Sequence, residues 1–159
     1  MKIEHDEERE LVIERVKDGE GVKYECSYII VSYHRNNSLK DKSVWTIDEQ
    51  AELNCFKETQ EKNWVQESIG WGMKYEVLKK KESEKVIIET IGISEHNEKL
   101  KIGRFIDGSK NDTWHGYPAN YRRKKQDIPP MEILLNWIDL RVLKKHQASK
   151  IKQGKKCNL

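Results

Sequence analysis

Trp114, His115, Tyr117 and Tyr121 stand directly before four consecutive cations, Arg122, Arg123, Lys124 and Lys125, in the stretch NDTWHGYPANYRRKKQDIPP. Two recognition chemistries fit these residue types. Aromatic rings can stack unpaired bases while the adjacent cations hold phosphates. The same residue types also form the anchors of protein–protein contacts. His115 adds a catalytic candidate, because its unperturbed pKa lies nearest neutrality. With Asp112, Tyr121 and Arg122 it would supply the parts of a small hydrolase or nuclease, a proton-transferring group beside an electrostatic stabiliser. No nucleophile or orienting carboxylate stands at a fixed spacing from it. The remaining reading is packing: Trp114 and Tyr117 close one end of a sheet, and Gly116 and Pro118 shape an aromatic turn leaving it.

The charge distribution favours recognition over catalysis. A net charge of +3 conceals a polarity, with −4 over residues 1–20 and +8 over residues 122–159. So basic a segment is either an electrostatic footprint for an anionic partner or a solvated end that keeps the protein soluble. Lys145, Ser149, Lys152 and Lys156 recur at helical spacing and predict a basic stripe. The binding set read from the sequence is therefore Trp114, His115, Tyr117, Tyr121, Arg122, Arg123, Lys124, Lys125, Lys145, Lys152 and Lys156. Nucleic acid is the expected partner. An acidic protein, as in an antitoxin-like or immunity-like pair, is the alternative.

Other chemistries lack their signatures. The five histidines and three cysteines show no ligand spacing, which excludes a finger-type zinc site, and no cofactor is expected. Neither a phosphate-binding Walker loop nor a G-x-S-x-G elbow occurs. Arg141 and His146 stand at the Arg-x4-His spacing of the HEPN ribonuclease motif. That family is an all-helical bundle, whereas this chain reads as substantially β. No apolar run approaches the ~18 residues of a membrane span. Cysteines odd in number and far apart, behind an acidic N-terminus with no apolar signal segment, point to a reducing cytoplasm.

The elements that must position these residues read as α+β. Ile, Leu, Val and Phe number 37 of 159, and five tryptophans and six tyrosines add large apolar payloads, so a core forms. Residues 10–35 read as a β-hairpin turning at Asp18-Gly19 and Glu20-Gly21, although the first run could instead continue a helix. Tyr24, Cys26, Tyr28 and Ile30 share one face of its second strand, with Ile29, Val31 and Tyr33 on the other. NNSLKDKS is a loop. Thr46 and Glu49 form a capping box ahead of a helix over roughly 47–61. MKYEVLKK, KVIIETIGI and KLKIGRFI predict an antiparallel meander. Pro129-Pro130 start an amphipathic helix with Met131, Leu134, Leu135 and Ile138 on its inner stripe, docked together with Trp137. A second helix over 143–153 ends at Gly154. The expected architecture is an antiparallel sheet of about five strands with one packed helix over residues 1–121. A basic, helix-turn-helix-like pair over 122–159 docks on it.

Overall fold

A computed structural model describes residues 9–16, 23–35 and 42–159. The expected turn at Asp18 to Gly21, and most of the NNSLKDKS loop, lie outside the described residues. The fold is α+β, as the alternating patterns imply. The first run is a strand, β1 (Arg9–Val16), paired antiparallel with β2 (Lys23–Ile30) in register Ile13↔Cys26. Cys26, Tyr28 and Ile30 are buried on one face, as their period of two requires. After a short β3 (Val44–Trp45) comes α1 (Glu49–Glu61). Its N-cap is Asp48, whose Oδ1 accepts from Ala51 N at 2.8 Å. The expected Thr46 box fails because Thr46 N is committed to Ile91 O at 2.9 Å, which holds that residue extended.

The main sheet has six strands in the order β1-β2-β11-β10-β5-β4, where β4 is Val65–Gln66, β5 Ile69–Gly72, β10 Ile102–Ile106 and β11 Thr113–Ala119. All neighbours run antiparallel except β2 and β11, which pair in parallel through Thr113↔Ser27 and Trp114↔Tyr28. The single meander expected from residues 73–106 is not formed. MKYEVLKK and KVIIETIGI supply a separate hairpin of β6 (Tyr75–Lys80) and β7 (Ser83–Ile88). Past Ile88 the chain turns inward to bury Ile91, and β8 (Gly92–Ile93) pairs with β3 and β9 (Lys99–Leu100) instead. Three such strands carry the same local signal whichever partners they take.

The sheet buries both faces. One holds an aromatic cluster in which Tyr28, Phe105 and Trp114 meet Phe56 of α1. Helix and sheet approach closely here because a glycine opens the space: a Cβ at Gly72 would lie 2.3 Å from Thr59 Oγ1. Glu52, 1% exposed, ties three elements together at this face. It accepts from Tyr28 Oη of β2 at 2.5 Å and from Arg35 Nε and Nη2 at 3.2 and 2.6 Å. Burial raises its pKa, opposed by the Tyr28 hydrogen bond and the Arg35 charge.

The other face carries the C-terminal pair, α2 (Met131–Asp139) and α3 (Lys145–Lys152), on Trp64, Trp71 and Ile102. Trp137 packs edge-on to Trp64 with ring centroids 5.8 Å apart at 88°, and Trp64 Nε1 donates to Asn136 Oδ1 at 2.8 Å. The docked stripe is Ile133, Leu134 and Trp137, whereas Met131 and Leu135 are 44% and 51% exposed. The expected stripe was thus rotated by about one position, because Trp137 dictates which side of α2 faces the sheet. Gly154 closes α3 at φ +70°, as a C-terminal stop should.

Two substitutions test this packing. Gly72→Ala should cost about 1–3 kcal/mol by overpacking, and adding Thr59→Ala should recover part of that in a urea-denaturation cycle. Glu52→Ala leaves Arg35 and Tyr28 without their acceptor and should cost about 3 kcal/mol in the same measurement.

Candidate nucleic-acid interface

The stretch that opened the sequence reading is not a turn leaving the sheet. Residues 113–119 are β11, an interior strand, and alternation sorts their side chains between the two faces. Pro118 is tolerated because pairing to β2 ends at Trp114, leaving the strand one ladder partner at the proline. Ser43 Oγ donates to Pro118 O at 2.8 Å in that gap.

Trp114 faces α1 and is 4% exposed, with its Nε1 donating to Asp112 Oδ1 at 2.8 Å. It is a core residue and offers no face for a base to stack on. His115 and Tyr117 lie on the opposite face, half-buried, in register with Ile106 and Arg104 of β10. Tyr117 Oη donates to Asp127 Oδ1 at 2.5 Å and accepts from Arg104 Nη1 at 2.9 Å. Its ring stacks on His34 at 5.2 Å and 17°. Burial and the Asp127 bond hold the phenol far above its usual pKa, so it stays neutral. Asp127 Oδ2 also accepts Asn120 N at 2.8 Å, which closes the cationic run into a loop on the end of β11.

Tyr121 lies past the far end of β11, packed against the helical-pair cluster, and burial lifts its pKa to about 12. The four residue steps from His115 to Ala119 alone span roughly 13 Å. Asp112 is engaged with Trp114, and Arg122 with Glu98, so the structure does not gather the residues of a His115-based hydrolase. Arg123 Nε and Arg122 Nη1 lie 2.7 and 3.3 Å from Glu98, whose pKa the Arg123 hydrogen bond lowers. Lys124 and Lys125 are exposed. Exposed pairs of this kind are weak, so a competing phosphate displaces them at little cost.

Lys145 and Lys152 are exposed on α3. Lys156 is not on that helix, which ends before Gly154. It lies in the extended tail, lining a groove of about 390 Å³ with Tyr121, Arg122 and Lys101. The predicted stripe is therefore a basic helix continued by a basic tail.

The larger concavity was not read from the sequence. Between the β6–β7 hairpin and the corner joining α2 to α3 runs a trough of about 840 Å³. Six cations line it, Lys79, Lys80, Lys81, Lys85, Arg141 and Lys144, against two anions, Glu82 and Glu84. Among the described residues none of the six forms an ion pair. The signal was present as KKKESEK, which reads locally as a charged hairpin turn. Only folding sets it opposite Arg141 and Lys144, about sixty residues later in the chain. A trough of one prevailing sign focuses the electrostatic field within it.

Among the described residues no cluster of three or more His, Cys, Asp or Glu side chains is placed to hold a metal, and no helix is long and apolar enough to cross a membrane. Comparison with protein-family models, with curated proteins and with solved structures finds no match.

His34 gives this region a pH signature. Burial lowers its pKa from 6.5 to about 4, reinforced by Lys42, His115 and Lys124 and opposed by its Nδ1 bond to Ser43 O. A base with a depressed folded pKa is protonated first in the unfolded chain, so stability is full above 6.5 and is lost as pH falls toward 4. The loss should reach about 3 kcal/mol. Urea unfolding at neutral and mildly acidic pH should show a steeper decline for the wild type than for His34→Asn.

Proposed function

We propose that the protein is a non-enzymatic cytoplasmic module that binds nucleic acid on its C-terminal basic face. The observation that carries the reading is the trough between the β6–β7 hairpin and the α2–α3 corner, where six cations converge without anionic partners among the described residues. Burial of the apolar side of α3 through Ala148 and Ile151 leaves Lys145, Lys150 and Lys152 facing outward beside it. Arg122 to Lys125 add a second basic segment. A sugar-phosphate backbone is the ligand for such a surface: lysines and arginines on separate elements each meet a phosphate and release counterions. The trough offers few rings for base stacking, so recognition rests on the backbone, and sequence preference should be slight.

Fluorescence anisotropy of a labelled oligonucleotide across a salt series tests this reading. With six cations engaged, log affinity should fall against log salt with a slope of about −5. Reversing two of them, Arg141→Glu with Lys144→Glu, should weaken binding at least about tenfold and flatten the slope by about two. His115→Ala should leave both unchanged. Absent binding, binding indifferent to salt, or binding untouched by the double reversal would overturn the reading. Recovery of a tightly bound acidic protein with no oligonucleotide affinity would redirect it to a protein partner.

A further inference from the structure

The β6–β7 hairpin ends in an edge that fits a second copy of itself, and we infer that the protein dimerises by antiparallel β6–β6 pairing across a two-fold axis at Leu78. Among the described residues β6 and β7 pair only with each other, so each strand has an open edge. Glu89 N donates to Lys74 O at 2.8 Å just below the hairpin. Antiparallel ladders alternate, so Glu76–Ile87, Leu78–Lys85 and Lys80–Ser83 are the hydrogen-bonded pairs. The backbone N–H and C=O groups of Val77 and Lys79 then point away from β7, ready for another strand. The edge is also apolar for an exposed hairpin: Val77, Leu78 and Ile87 are 43%, 39% and 39% exposed.

The side chains select one register. With Leu78 on the axis, Leu78 faces Leu78 of the partner subunit in a non-hydrogen-bonded pair, where side chains approach closest. Glu76 faces Lys80 of the partner subunit, and Lys80 faces the partner's Glu76, giving two opposite-charge pairs on one face. Val77 and Lys79 exchange backbone hydrogen bonds with their counterparts, and both rows of outward groups are satisfied. Centring on Val77 sets Glu76 against leucine. Centring on Lys79 sets lysine against lysine, which is repulsive. On the β7 edge the corresponding centre is Ile87, which sets Lys85 against the partner's Glu89, but Glu89 is already held by Lys74 at 2.6 Å, so the free complementary pair lies on β6. Edge lysines ordinarily oppose strand addition, and here they forbid a centre at Lys79 or Lys80. The two hairpins would form a continuous four-stranded sheet with one basic trough on each side. Lys80 also lines the trough, so the pairing is measured on protein freed of nucleic acid.

Sedimentation velocity on nuclease-treated protein tests it. The wild type should show a concentration-dependent dimer. Lys80→Glu alone and Glu76→Lys alone should each weaken it at least about tenfold, since each sets like charges opposite one another. The exchange Glu76→Lys with Lys80→Glu should restore the dimer, because it re-forms both pairs with the signs reversed. Circular dichroism on each variant confirms that the fold is retained. A wild type that stays monomeric at its highest soluble concentration would sink the proposal. So would a double exchange that dimerises no better than either single variant.

Discussion

The contact between Trp64 and Trp137 governs how this molecule presents its charge. Both indoles are fully buried, and the hydrogen bond from Trp64 Nε1 to Asn136 fixes the rotation of α2 about its axis. Once Trp137 is seated, Ile133 and Leu134 must face the sheet. The turn at Val142 and Leu143 is then pulled into the same cluster, and α3 must lie with Ala148 and Ile151 inward. The lysines of α3 face solvent as a consequence. Their outward display follows from burying the few apolar residues that a highly charged helix contains.

The opposite face of the sheet is held by a different kind of interaction. Glu52 is a carboxylate in an aromatic core, and such a group is tolerated only when its oxygens are filled. Tyr28 and Arg35 fill them, so β2, α1 and the turn after β2 are locked together around a single charge. A second closed network runs through Arg104, Tyr117 and Asp127, with His34 stacked on the phenol. Both networks face inward, with their carboxylates engaged by the hydrogen bonds of neighbouring side chains. That separates them from the trough, whose cations have no such partners among the described residues, and it is why the proposed recognition surface is the trough.

Much of the fold was legible from local patterns. The hairpin of β1 and β2, the helix at 49–61, the proline start of α2 and the glycine stop of α3 each rest on a signal contained within a few residues. The misreadings share one cause. Thr46 looked like a cap until a strand partner claimed its amide, and the meander strands carried no information about their neighbours. The stretch at 113–119 looked like a turn because it holds glycine and proline. It is a strand because β10 pairs with it from His115 to Ala119 and β2 withdraws before the proline.

The sequence by itself determined the fold class and the basic C-terminal region, since composition and short-range periodicity carry both. Tertiary structure alone decided which candidate residues stand at the surface. Alternation along β11 sends Trp114 into the core and His115 to the other face, and strand length keeps His115 from Tyr121. Tertiary structure also decided that lysines near residue 80 meet Arg141 and Lys144 across one trough. Long-range juxtaposition is set by which apolar faces bury each other, and no local pattern of charges encodes it.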